Sequence, residues 1–264
     1  MDIRLLGPLC AEVNGRSFVP SAAKPRKVLA LLLLNPNKVV STHAFQKELW
    51  GEHPPRSALT TLQTYILQVR KLLTQAAGGA EPDAKQVLTT CPTGYMFRME
   101  PDCRDLDAYR RFTEEGEAAL QAGHDKRASE LLSGALCLWQ GEALVDVQAG
   151  PLLETEVLRL ENSRATVLEQ RIEADLRQGF HHRVLSELAA LTAEHAFNEN
   201  VRAQYMVALY RCGRRHEALS IYQKGRQLLI DELGLEPCTE LRAVQQAILA
   251  SDPGLDSAVR VGSR

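Results

Sequence analysis

Residues 57–73 read SALTTLQTYILQVRKLL, and the periodicity of this stretch decides what must surround it. At 100° per residue, Ala58, Leu59, Leu62, Tyr65, Ile66, Val69, Leu72 and Leu73 fall in one stripe, which predicts a helix with one apolar side packed on its neighbours. Opposite that stripe lie Ser57, Thr60, Thr64, Gln68 and Lys71, with Thr61, Gln63 and Arg70 at the flanks, and no carboxylate among them. Glutamate is a strong helix former and would be welcome on an ordinary solvated face. Hydroxyl, amide and cationic groups without it are the set that hydrogen-bonds base edges and phosphate oxygens in the major groove. Leu67 also falls on the polar side, where it reads as an ordinary exposed leucine, with contact to a thymine methyl as the alternative.

The flanking sequence supplies a setting for that helix. Residues 3–20 run in short apolar pieces broken by Gly7-Pro8 and by Asn14-Gly15, a strong hairpin signal, which predicts a small antiparallel sheet. Pro25 suits a first helical position, an apolar run follows from Val28 to Leu34, and Asn35-Pro36-Asn37 stops it. After a brief extended stretch, Ser41 is placed to cap a second helix that Gly51 ends, and Ser57 to cap the third. QVLTTCPTGYMFRM, residues 86–99, sets β-branched and aromatic residues on either side of Pro92-Thr93-Gly94 and reads as a hairpin. Strands, three helices and a hairpin, in that order, match a helix-turn-helix followed by a β-hairpin wing, which would close a first domain near Glu100.

Charge is divided along the chain. The formal net charge of the 264 residues is -2, but residues 1–100 carry 12 Lys and Arg against 7 Asp and Glu, and the rest is acidic. From His53 to Ala80 there is no carboxylate, where average composition would place roughly three or four. A surface facing a polyanion explains this window.

From Asp105 onward the pattern becomes helical. AGHDKRASELL (122–132), QGFHHRVLSEL (178–188) and CGRRHEALSIY (212–222) resemble one another: a glycine, four mostly polar positions, then Ala or Val and spaced aliphatics. Gly179 and Gly213 are 34 residues apart, the period of a tetratricopeptide helix pair, while Gly123 and Gly179 are 56 apart. Stacked helix pairs in an irregular solenoid are expected, and residues 253–264 as a flexible tail.

Other classes are disfavoured. Nucleotide-binding, hydrolase and zinc-protease motifs are missing, so no enzyme is expected, and no cofactor or metal. His181-His182 reads as a solvated pair at a helix end, since adjacent helical residues point about 100° apart. The longest apolar run is seven residues and the start MDIRLLGP is unlike a signal peptide, which predicts a soluble cytoplasmic protein without membrane contact. The six cysteines, scattered without a C-x-x-C pair, are expected as reduced core thiols, and Trp139 and Tyr222 as core residues. A helical-repeat adaptor with loose nucleic-acid binding is the main rival to a sequence-specific regulator, and sequence preference separates them.

Taken together, KPRKVLALLLLNPNKVVSTHAFQKELWGEHPPRSALTTLQTYILQVRKLL (24–73), TTCPTGYMFRM (89–99), ASELLSGALCLWQGEALVDV (128–147) and EALSIYQKGRQLLIDELGLEPCTELRAVQQAIL (217–249) resemble the Streptomyces antibiotic regulatory protein family. The resemblance covers about residues 1–250 and implies a mainly α fold with a small β component. Its parts are an OmpR-type winged helix-turn-helix domain (1–100) and an all-helical, tetratricopeptide-like bacterial transcriptional activation domain (101–252). It implies a transcriptional activator for an antibiotic or secondary-metabolite gene cluster that binds direct repeats in promoter DNA as a homodimer and recruits RNA polymerase holoenzyme. Carried onto this chain, it makes Ser57–Leu73 the recognition helix, with Thr60, Thr61, Thr64, Gln68 and Lys71 on bases. Lys24, Arg26, Lys27 and Arg70 become phosphate contacts, joined by Thr90, Thr93 and Arg98 of the wing. Gly51, Glu52, His53, Pro54, Pro55 and Arg56 form the polymerase-facing loop. Many relatives carry arginine in the wing where this chain has Cys91 before Pro92, so minor-groove insertion by the wing is not implied here.

Overall fold

The computed structural model describes residues 1–78 and 84–255. Among these residues it is mainly helical, with two small antiparallel sheets before residue 98 and no strand after residue 104, as expected. By internal contacts the chain forms two compact units, one of residues 1–112 with 134–165, the other of residues 113–133 with the chain from 166 onward.

In the first unit, β1 (Asp2–Arg4), β2 (Cys10–Val13) and β3 (Arg16–Ser17) form one sheet. Asn14 and Gly15, with φ of 52° and 73°, make the two-residue turn that pairs Val13 with Arg16. Helix α1 (Ala23–Leu34) buries Val28 to Leu33 and stops at Asn35, whose side chain donates to the Leu31 carbonyl. It begins two residues before Pro25. The first intrahelical bond is donated by Arg26, so proline's missing N–H still falls among donors that have no partner within the helix. β4 (Val39–Ser41) leads into α2 (Thr42–Trp50), where the Ser41 hydroxyl accepts from the Ala44 N–H at 3.1 Å and Gly51 ends the helix at a φ of 61°.

Helix α3 (Ala58–Ala76) packs on α1 and α2, then α4 (Ala84–Val87) precedes the hairpin β5 (Leu88–Cys91) and β6 (Gly94–Phe97). The second sheet has the order β4-β6-β5, and Gly94 lets β6 lie against β4, since a Cβ there would stand 1.9 Å from the Val40 carbonyl oxygen. Phe18 stacks on Phe97, and Phe45 meets Tyr95 edge-on, to close the core.

This unit reaches past Glu100, and three carboxylates hold it there. Glu48 of α2, 1% exposed, accepts backbone N–H bonds from Gly150 at 2.6 Å, Leu152 at 2.9 Å and Leu153 at 3.2 Å, and so caps α7 (Pro151–Arg177). A negative charge at a helix N-terminus meets both unpaired N–H groups and the positive end of the dipole. Asp105, the first residue of α5 (Asp105–Gln121), accepts from Leu5, Leu6 and Leu106. Burial pushes its carboxyl above the usual carboxylate range, against the pull of those donors. Asp146 accepts from the Leu9 N–H at 2.7 Å and pairs with Arg26 at 2.9 Å. Trp139 is buried edge-on against Tyr109, with Arg164 over its ring.

The second unit carries the expected repeat. Gly123, Gly179 and Gly213 each sit at positive φ, between 76° and 87°, in the turn after α5, α7 and α9 (Glu199–Arg211). The next residue's N–H returns five positions, from His124 to Ala119, Phe180 to Asp175 and Arg214 to Leu209. That is a Schellman turn, three times over. Five residues after each glycine, Ala128 of α6 (Asp125–Cys137), Val184 of α8 (His181–Glu194) and Ala218 of α10 (Arg215–Leu233) are fully buried. Two arginines placed two residues before a turn glycine join successive turns: Arg177 donates to the Leu120 carbonyl at 3.3 Å, and Arg211 to the Leu176 carbonyl at 2.8 Å. The longer first interval arises because residues 134–165, lying within it, belong to the first unit. Tyr222 is buried with Met206, Leu241 of α11 (Thr239–Ala250) and Leu255.

Several expectations need correction. The Ser57 hydroxyl does not cap α3; its φ and ψ of -86° and 9° are those of a turn, in which Ala58 N–H bonds the Pro55 carbonyl, not the extended backbone a capping side chain needs. Cys137 is exposed and the other five free thiols are only half-buried, so they are not core residues. The expected tail starts with a 3₁₀ turn, Pro253–Leu255, because Leu255 has an apolar cluster to enter; the remainder, 256–264, lies outside the described residues.

Glu48→Ala should lower stability to urea unfolding by about 3 kcal/mol, since it leaves three N–H groups without their acceptor, and Glu48→Gln by less. A loss below about 1 kcal/mol for the alanine variant would mean that water replaces the carboxylate there.

Candidate nucleic-acid interface

Helix α3 is anchored by its buried row, Ala58, Leu62, Ile66, Val69, Leu73 and Ala76, with Tyr65 and Leu72 half-buried beside it. Leu59, expected in that row, is 52% exposed. The helix is therefore turned slightly from the idealised projection. Its outward row is Thr60, Gln63, Thr64, Leu67, Lys71 and Thr74, all exposed, while Thr61, Gln68 and Arg70 are half-buried at its margins. Thr60, Thr64 and Lys71 thus stand together where expected, and Thr61 and Gln68 are displaced to the edges.

Two hydroxyls on this row are already oriented. Thr64 Oγ1 donates to the Thr60 carbonyl at 3.1 Å and Thr74 Oγ1 to the Arg70 carbonyl at 3.0 Å. With their hydrogens turned back to the helix, both threonines offer acceptor lone pairs outward, the complement of an exocyclic amine on adenine or cytosine.

Three of the cations expected on phosphates are bonded within the protein. Arg70 donates through Nε and Nη2 to the Leu88 carbonyl, at 3.0 and 2.6 Å, and through Nη2 to Thr90 Oγ1 at 2.9 Å. The planar fork thereby fixes β5 to α3 and sets where the wing stands. Arg26 donates to the Pro20 carbonyl and pairs with Asp146, and Lys27, half-buried, donates to the Glu48 carbonyl at 3.3 Å. These three side chains are taken up by carbonyl and carboxylate groups of the protein itself, which the fold needs satisfied. Lys24 is exposed, its ammonium 5.3 Å from the centre of the Trp50 ring. Lys71 is exposed on the outward row.

On the wing, Thr90, Thr93 and Arg98 are exposed, Thr90 bonded to Arg70 as above, and Cys91 is half-buried beside exposed Pro92. The loop after α2 exposes Glu52, His53, Pro54, Pro55 and Arg56, with Gly51 half-buried at its start. Elsewhere, His182 is exposed at the start of α8 and His181 half-buried, its pKa lowered by burial and by the nearby charges of Arg211 and His182. Among the described residues no cluster of His, Cys, Asp and Glu is arranged to hold a metal ion, and no helix is long and apolar enough to cross a membrane.

Sequence reasoning put Gln63 at the flank of the polar side and favoured an ordinary exposed leucine at Leu67; both stand exposed in the outward row. An ideal projection gives the period of a helix, but its phase is set by which apolar residues find room in the core, and Leu59 does not.

The chain matches known proteins along nearly its whole length. A family model described as "Transcriptional regulatory protein, C terminal" matches residues 16–97, and one described as "Bacterial transcriptional activator domain" matches residues 104–249. Regulatory protein DnrI of Streptomyces peucetius is 51% identical over 257 residues, which cover 97% of this chain and 94% of DnrI. Regulatory protein AfsR of Streptomyces coelicolor is 39% identical over 95% of this chain, a stretch that makes up 24% of AfsR. A solved structure of Mycobacterium tuberculosis EmbR, in complex with a low affinity phosphopeptide, is similar with a TM-score of 0.88 at 34% identity, over 96% of this chain and 65% of that one.

Arg70→Ala should speed amide hydrogen exchange in the hairpin from Leu88 to Phe97 while leaving α1 unchanged. Unchanged exchange in the hairpin would remove the positioning role assigned to this arginine.

Proposed function

We propose that this chain, which belongs to the Streptomyces antibiotic regulatory protein family, is a transcriptional activator that reads promoter DNA through the outward row of α3. One observation carries the proposal: Thr60, Gln63, Thr64, Leu67 and Lys71 stand exposed on a helix backed by a buried row, with no carboxylate from His53 to Ala80. A carboxylate on that row would repel phosphates, whereas amide, hydroxyl and ammonium groups bond base edges. Thr60, Gln63, Thr64 and Lys71 are the proposed base contacts, with Thr61 and Gln68 reaching from the margins. Phosphates would be met by Lys24, Thr93 and Arg98, and by Thr90 if the wing lies along the backbone; Arg26, Lys27 and Arg70 act through the fold.

Two protomers would occupy direct repeats in the promoter, and the exposed loop Gly51–Arg56 would face RNA polymerase holoenzyme. The functional division proposed is a DNA-binding part to residue 100, an activation part from 101 to 252, and a tail. The genes controlled would belong to a secondary-metabolite cluster, and the protein would work in the cytoplasm, on the nucleoid. Catalysis has no place in this function.

Thr64→Ala and Gln63→Ala should each weaken binding to the preferred duplex by about 1–3 kcal/mol and change binding to random DNA little. Equal losses on both duplexes would instead fit an adaptor that holds nucleic acid loosely, with affinity falling steeply with salt. Protomers on successive repeats should sit about 34–36 Å apart, one helical turn. Inserting about half a turn between the repeats should therefore abolish joint occupancy in a footprint, and a full turn should restore it.

A further inference from the structure

Leu67 has the highest exposure of any large apolar side chain among the described residues, at 66%. A lone exposed leucine on an arbitrary surface needs no explanation. This one stands near the centre line of the outward row, within one helical turn of Gln63, Thr64 and Lys71. Leu59 is exposed too, but about 80° further round the helix, off the row. The backbone beneath Leu67 is fixed by its buried neighbours Ile66 and Val69, 1% and 0% exposed, so the side chain cannot turn inward. It can leave water only when something apolar arrives at the row. On the base edges of the major groove, the apolar group is the C5-methyl of thymine.

We propose that Leu67 is a specificity-determining residue that packs on a thymine methyl. Preferred sites then carry thymine at one fixed position in each half-site, next to base edges within reach of Gln63 and Thr64. The proposal rests on the DNA-reading role above and adds to it the chemistry of one base. The polar groups of the row read donors and acceptors, and Leu67 reads shape and hydrophobicity.

The full chain would first select its preferred duplex from a random library. Each thymine of that duplex is then replaced singly by deoxyuridine, which removes the methyl and keeps the pairing edge. The wild-type chain should lose about fourfold in affinity at one thymine of each half-site, the equivalent of ~0.8 kcal/mol for a buried methyl-sized group. Leu67→Ala should bind the unmodified duplex more weakly and respond less than about twofold to the same replacement. Leu67→Met should keep the sensitivity, as a flexible apolar chain of similar volume. Because Leu67 is so exposed, Leu67→Ala should fold with an unchanged denaturation midpoint.

If a duplex is selected but no thymine shows the methyl effect, or Leu67→Ala retains it in full, the thymine contact is wrong while DNA reading stands. If no duplex is enriched over random DNA, DNA reading fails and the contact fails with it.

Discussion

Burial of the inner side of α3 fixes what its outer side can do. Leu62, Ile66, Val69 and Leu73 are between 0% and 3% exposed, and burying a side chain of this kind stabilises by about 1.5–3 kcal/mol. Turning the helix by one residue, about 100°, would withdraw several of them from the core at once. The phase of α3 is therefore held by a penalty far larger than any single polar contact on its far side. The backbone under Thr60, Gln63, Thr64, Leu67 and Lys71 is thus already ordered, and only their side chains remain to be fixed when a partner arrives.

Three carboxylates of the first unit bind its own backbone. Glu48, Asp105 and Asp146 accept backbone N–H bonds from Gly150, from Leu5 and Leu6, and from Leu9. Asp146 also neutralises Arg26. Glu48 is buried, Asp105 half-buried and Asp146 exposed; taking a carboxylate out of water is costly unless it is hydrogen-bonded, and each of the three has donors. α2, the first helix of the helix-turn-helix, thus carries through Glu48 the cap of a helix a hundred residues later in the chain. Acidic groups hold the unit together while the outward row of α3 is left free of them. The same division accounts for the cations: Arg26, Lys27 and Arg70 serve the scaffold, and Lys71 remains on the surface.

Much of this was legible in the sequence, and the exceptions share a cause. Asn14-Gly15, Ser41, Gly51 and the three repeated glycines were readable because each acts through local backbone geometry, which depends on the residue and its immediate neighbours. The element order followed from them. Ser57 misled because a turn from Pro55 set its backbone, and Leu59 because periodicity gives spacing but not which edge of a stripe meets the core. The partners of Glu48 and Arg26 were out of reach altogether. They lie 102 and 120 residues away, at Gly150 and Asp146, and nothing local marks such pairs. The candidate face was legible as a set of residue types, its centre only from the structure.

Site-specific photocrosslinking tests the central claim most directly, with a photoreactive residue placed singly at Gln63, at Thr74 or at exposed Ala190 of α8 in the full chain on its selected duplex. The claim requires strong adducts to major-groove base positions from Gln63, weaker ones from Thr74 nearer the helix end, and none from Ala190. Adducts to protein alone from Gln63, with DNA captured elsewhere on the chain, would contradict it.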